Sequence, residues 1–162
     1  MRRSLQILAE SLAEGCRFRF KGDLDEYCDG AILALAKQAR YPCWFNLKDV
    51  GRLNSTGIKN LVHVVRQICR GGKLIYEECP PEVVDTFNMV PDLVAEATVS
   101  SVLVPFSCRD CRVDRNQVVL LTERARPRQI ASNCERCGAA MEPGIEITSY
   151  FAFLDAKAIA SF

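Results

Sequence analysis

The chain is predicted to be an α/β protein with a mixed sheet and packed helices, followed by a small cysteine-paired unit near its end. Strand and helix patterns alternate from about residue 16 to 106, which favours one layered core. Beyond Pro105 arginines and paired cysteines replace that texture until about Glu142. At 162 residues the chain has room for one core plus an appendage, since single domains centre on roughly 100–150 residues. The expected organisation is a main domain over 1–106, a cysteine unit over 107–145 and a segment over 146–162 that packs back onto the domain.

The elements follow from side-chain period. Cys16-Arg17-Phe18-Arg19-Phe20-Lys21 alternates apolar and cationic residues, as a half-buried strand does. Gly22-Asp23-Leu24-Asp25 turns the chain. Over 25–40, Cys28, Ile32, Leu35 and Ala39 recur at helical steps, and Tyr41-Pro42 closes that helix. Cys43-Trp44-Phe45-Asn46-Leu47 is nearly continuous in apolar side chains, as expected of an inner strand covered on both faces. A second helix over 56–70 places Ile58, Leu61, Val62, Val65 and Ile68 inward, with Lys59, His63, Arg66 and Arg70 outward. Gly71-Gly72 ends it. Lys73 to Glu77 reads as a strand, Pro80-Pro81 opens a short helix that buries Val83, Val84 and Phe87, and a last strand covers 98–106. The apolar tail Ser149 to Leu154, with Ala156, Ala158 and Ile159, is read as helix, with strand as the alternative over 145–153.

Nine cysteines in a chain with no export signal at its start point to metal rather than disulfides. Cys108-Arg109-Asp110-Cys111 and Cys134-Glu135-Arg136-Cys137 are matched Cys-x-x-Cys knuckles. Two intervening residues let one tight turn offer both sulfurs to a single tetrahedral ion, and Gly138 suits the turn after the second pair. Four thiolates leave no open position, so the expected group is a structural zinc ion on Cys108, Cys111, Cys134 and Cys137. Segments 117–122 and 129–131 are the expected strands of a zinc ribbon. Redox-active dithiols are the alternative. Cys16, Cys28, Cys43, Cys69 and Cys79 fall within regular elements and read as small apolar residues.

The element order, the Gly22-Asp23-Leu24-Asp25 turn, the strand ending at Asp49, Asn54-Ser55-Thr56-Gly57-Ile58, and Gly71-Gly72-Lys73-Leu74 together resemble a STAS domain of the bacterial anti-anti-sigma factor type, over roughly residues 5–106. In that family the first serine of an aspartate-serine-serine-glycine element is phosphorylated by a partner kinase. Ser55 falls on that position. The resemblance implies a regulatory, non-enzymatic protein that binds a kinase or anti-sigma partner through Asp23, Asn54, Ser55, Thr56, Gly57 and Lys59. Asn54 stands where the family has aspartate; it caps a helix but is not a carboxylate. The residues alone also allow Asn54, Ser55 and Thr56 to be simple helix-start residues.

Two further classes remain open at this level. One is an unmodified adaptor or scaffold of the same fold. The other is a nucleic-acid-binding accessory using Arg109, Arg112, Arg115, Arg124, Arg126, Arg128 and Arg136, although little aromatic interleaving is present to stack bases. A formal net charge of +1 gives no global field toward nucleic acid or anionic lipid. With a single histidine, no nucleophile–base constellation and no phosphate-binding glycine loop, an enzyme is not expected. No stretch reaches the roughly 20 apolar residues of a membrane helix, so the expectation is a cytoplasmic protein.

Overall fold

The computed structural model describes residues 1, 3–121, 127 and 130–159, with the side chains of 156–159 excepted. Thr122, Arg124, Arg126, Arg128 and Gln129, and the side chains of Ala156, Ala158 and Ile159, lie outside the described residues.

The first sheet has the order β1 (Gln6–Ser11), β2 (Cys16–Leu24), β3 (Cys43–Leu53), β4 (Leu74–Glu77) and β5 (Thr98–Val99). β1 is antiparallel to β2, and the remaining neighbours are parallel, giving the mixed sheet the sequence predicts. Because β2 to β5 lie in consecutive order, crossovers of one hand deliver every intervening helix to the same face. Burial follows that rule. Phe18, Phe20, Phe45, Leu47, Leu74 and Tyr76 are buried on one face, whereas Arg17, Trp44, Asn46 and Ile75 on the other are only half-buried. The expectation that the inner strand is covered on both faces is therefore corrected, and β3 also runs six residues beyond Leu47. The open face is filled with charge pairs: Arg17 bridges Glu10 and Glu77, and Lys48 reaches Glu78.

The long helix expected over 25–40 is three short pieces: a 3-10 turn Glu26–Cys28, α1 (Asp29–Leu33) and α2 (Leu35–Gln38). Gly30 lowers helix propensity in the middle of this stretch. Asp25 caps the first turn through Tyr27 N–H, and Ile32 and Leu35 are buried in successive pieces. α3 (Ser55–Gly71) is the longest helix among the described residues, and its buried residues are Gly57, Leu61, Val64, Val65 and Ile68. Val64 replaces the predicted Ile58 and Val62, which remain half-buried at the margins. α4 (Pro81–Met89) starts at Pro81 as predicted and buries Val83, Val84 and Phe87.

β6 (Ser101–Ser107) leaves the first sheet. The strand expected over 98–106 is thus two strands, divided at Ser100, whose N–H and hydroxyl both donate to the Tyr76 carbonyl. β6 pairs with β7 (Asp114–Leu120) on one side and β9 (Ala140–Pro143) on the other, and β8 (Ser132–Asn133) completes the order β7-β6-β9-β8. β6 also touches the end of β4: Leu103 N–H donates to the Cys79 carbonyl at 2.7 Å. The strand expected at 117–122 is found as β7, which starts at Asp114 and ends at Leu120. The one expected at 129–131 is corrected: Ile130 and Ala131 lie outside any strand, β8 begins only at Ser132 where pairing with Met141 of β9 starts, and Gln129 lies outside the described residues.

The tail is helical, as α5 (Ile147–Tyr150) and α6 (Ala152–Ile159). Tyr150 Oη donates to the Leu103 carbonyl at 2.6 Å, and Asn88 of α4 bonds the Ser149 and Tyr150 carbonyls and the Phe153 N–H. Phe153 is 1% exposed with its ring centroid 5.8 Å from that of Phe87. Phe153→Ala is expected to lower unfolding stability by about 3–5 kcal/mol, read as a fall in urea midpoint with an unchanged slope. An unaltered midpoint would show that the tail packs without consequence.

Candidate functional site

Two constellations carry chemistry. The first is the start of α3. Asn54 holds an extended conformation, its N–H donates to the Leu24 carbonyl at 3.0 Å, and its side-chain oxygen accepts from Gly57 N–H at 2.9 Å. Asn54 is therefore the cap. That leaves the hydroxyls of Ser55 and Thr56, both exposed, with no capping task, and their N–H groups with no acceptor inside the helix. Lys59 is exposed one turn further on. The Asn54 side-chain amide also donates to the Glu26 carboxylate, which brings the first 3-10 turn and the largely exposed Tyr27, at 71%, to the rim of this surface.

Two of the residues expected on the docking face have other tasks. Gly57 is buried, and the space that its missing side chain leaves is taken by the chain's own turn: a Cβ there would collide with the Leu24 carbonyl. Asp23 is 5% exposed, and its carboxylate accepts from Arg3 N–H at 2.8 Å and Arg52 N–H at 3.1 Å. It is a bolt between the N-terminal segment, β2 and β3 rather than a group facing outward. Those backbone donors, Arg3 first and then Arg52, hold its carboxyl below the usual carboxylate range, with the Arg3 guanidinium adding to the effect. The sequence marks Asp23 and Gly57 as special, but a buried N–H acceptor and a close backbone approach look the same there as ligand contacts.

The second constellation is the cysteine quartet. The sulfurs of Cys108, Cys111, Cys134 and Cys137 all lie within 4.8 Å of one another. A tetrahedral ion with metal–sulfur bonds of about 2.3 Å needs sulfur–sulfur edges of about 3.8 Å. The Cys108 to Cys137 separation is 3.6 Å, so the donor set fits an ion of that kind. The knuckles are two copies of one turn. Arg112 N–H donates to the Cys108 carbonyl at 2.9 Å and Gly138 N–H to the Cys134 carbonyl at 2.8 Å, with both residues in the left-handed region at φ 53° and 76°. Glycine occupies that conformation freely, whereas Arg112 adopts it against its side chain.

Backbone N–H groups of Arg136 and Cys137 aimed at Cys134 lower its thiol to about 7, whereas the hydrogen bond from Cys137 and burial push Cys111 up to about 12. Four sulfurs this close cannot all ionise without a cation among them. Ion pairs missed in the sequence tie the knuckles together: Arg109 of the first reaches Glu142 on β9, and Arg115 on β7 reaches Glu135 of the second. Two of the arginines considered for nucleic acid are thereby neutralised. The remaining cysteines are not joined in disulfides. Cys16, Cys28, Cys43 and Cys79 are buried and Cys69 half-buried, in keeping with packing roles.

No family model and no curated protein matches this chain. Among solved structures, it is similar to the anti-sigma factor antagonist SpoIIAA in its unphosphorylated form, at 18% identity and a TM-score of 0.42, over 53% of this chain and 83% of that one. Among the described residues no helix is long and apolar enough to cross a membrane.

Because the folded-state pKa of Asp23 lies below its unfolded value, its stabilising effect is present above about pH 4 and fades as pH falls toward the folded value. Acid unfolding of the wild type is expected to steepen below about pH 4, and Asp23→Asn to flatten that limb while lowering stability at neutral pH. Superimposable acid limbs would remove the bolt from the account.

Proposed function

We propose that the protein is a regulatory protein-binding module, of the kind its STAS-like motifs resemble, which docks a kinase or anti-sigma type partner at the start of α3 and releases it when Ser55 is phosphorylated. The observation that carries this reading is the division of labour at the helix start: Asn54 does the capping, so the exposed Ser55 hydroxyl is structurally idle and reachable. Transfer of the γ-phosphoryl group of ATP to Ser55 Oγ, with loss of the hydroxyl proton and release of ADP, places about −1.5 to −2 charges on the docking surface. The helix tolerates that charge, gaining about 0.3–1 kcal/mol from its dipole. An apposed partner loses contact, and every ~1.4 kcal/mol of lost interface energy weakens binding tenfold. The docking set is Asn54, Ser55, Thr56 and Lys59, with Glu26 and Tyr27 at its rim; Gly57 and Asp23 shape it from behind.

In this reading the quartet holds zinc, a closed tetrathiolate with no open position, whose task is structural. It joins the turn between β6 and β7 to the turn between β8 and β9, where so little apolar surface is available that short strands alone are marginal.

Co-expression with serine kinases, followed by phosphopeptide mapping, should place the modification on Ser55. Partners captured by wild type and by Ser55→Ala should be lost by about tenfold or more in Ser55→Asp. Modification confined to other hydroxyls, or equal capture by all three proteins, would sink the switch. Metal analysis of protein purified without added zinc should return one zinc per chain, and Cys134→Ser should lose it together with a marked fall in Tm. A metal-free protein of undiminished Tm would end the zinc assignment.

A further inference from the structure

The helix that begins at Ser55 carries an unusual charge pattern. Its sequence from Ser55 to Gly71 contains Lys59, His63, Arg66 and Arg70 and no acidic residue. At 3.6 residues per turn, Ser55, Arg66 and Arg70 fall within about 40° of Lys59 around the axis, so the idle hydroxyl and the three cations share one stripe about 22 Å long. All four residues are exposed. The acids of neighbouring elements are engaged at the flanks: the Glu26 carboxylate takes the Asn54 amide, Asp29 takes the Asn60 amide, and Asp92 takes Arg66 at 2.6 Å. Lys59 and Arg70 form no ion pair among the described residues, and the His63 ring is hydrogen-bonded to Gln67.

We infer that this stripe is the docking surface for an acidic polypeptide segment of the partner, a refinement that rests on the docking role proposed for the start of α3. Charge complementarity selects the occupant: Lys59 and Arg70, unpaired among the described residues and about three turns apart on one helix face, with Arg66 held by Asp92 between them and the regulated hydroxyl at the N-terminal end, match a negatively charged segment laid along the helix. The same arrangement explains how one modification acts over the whole surface. A phosphate on Ser55 sits one turn from Lys59, engages that ammonium at i,i+4 and cancels about half or more of the stripe's formal charge. The partner's acids then meet a like charge where the surface begins.

The test titrates fluorescently labelled poly-L-glutamate into the full chain and follows anisotropy, with duplex DNA and phosphatidylserine vesicles in parallel. Wild type should bind poly-L-glutamate with an affinity that falls steeply as salt rises. The double variant Lys59→Glu with Arg70→Glu should weaken it roughly tenfold or more, and Ser55→Asp severalfold. Lys59→Gln with Arg70→Gln, checked by circular dichroism, should give an intermediate loss and guards against misfolding. Unchanged binding in the charge-reversed variant overturns the proposal, as does tighter binding to DNA or vesicles that the same substitutions abolish, which would assign the stripe to that ligand. The outcomes separate from those of the switch: a chain never modified on Ser55 can still lose poly-L-glutamate with its cations, and a chain switched at Ser55 can be indifferent to them.

Discussion

The contact between Gly57 and the Leu24 carbonyl governs where the proposed docking surface stands. A helix can start this close to a strand end only where no side chain intervenes, and the same carbonyl accepts the Asn54 N–H. Asp23, one residue earlier, fixes the turn by accepting from both Arg3 and Arg52. The cap, the turn and the N-terminal segment therefore form one rigid mount. On that mount Asn54 is exposed but occupied as the cap, and the exposed hydroxyls that follow it are those of Ser55 and Thr56, so the chemistry open to the proposed partner is set by what the mount has already satisfied.

A second constraint comes from β6. Its residues Ser101, Val102, Leu103 and Val104 are buried, it borders the end of β4, and it also carries the first knuckle at its C-terminal end. The quartet is thus coupled by one continuous strand to the core that also seats Tyr150 against the Leu103 carbonyl. An ion held by the four sulfurs acts on a sheet whose central strand belongs to the body of the protein, which is why a structural task suits it. The reciprocal Arg109–Glu142 and Arg115–Glu135 pairs stand at the surface, where such pairs contribute little energy but favour one registration of the two turns.

Much of this was legible in the residues. Period-two alternation located β2, the Gly71-Gly72 pair ended α3, Pro80-Pro81 opened α4, and the matched knuckles brought out the quartet. β1 escaped notice because Gln6, Leu8 and Ala9 are all exposed on an edge strand, leaving only Leu5 and Ile7 to carry an apolar alternation. The broken helix over 25–40 escaped too, since burying Ile32 and Leu35 in separate short pieces preserves the same three- and four-residue spacing as a continuous helix.

The sequence by itself determined the α/β alternation, the helix cap at Asn54 and the grouping of the four cysteines, because each depends on residues close together along the chain or on a spacing that one turn can satisfy. Tertiary structure alone decided that the sheet keeps one open face, that β6 pairs in the second sheet while bordering the end of the first, and that Gly57 and Asp23 look inward while Ser55, Lys59 and Arg70 look out. Those outcomes depend on which distant backbone groups arrive beside a side chain, such as Arg3 and Arg52 at Asp23 or Leu24 at Gly57, and no local pattern encodes that arrival.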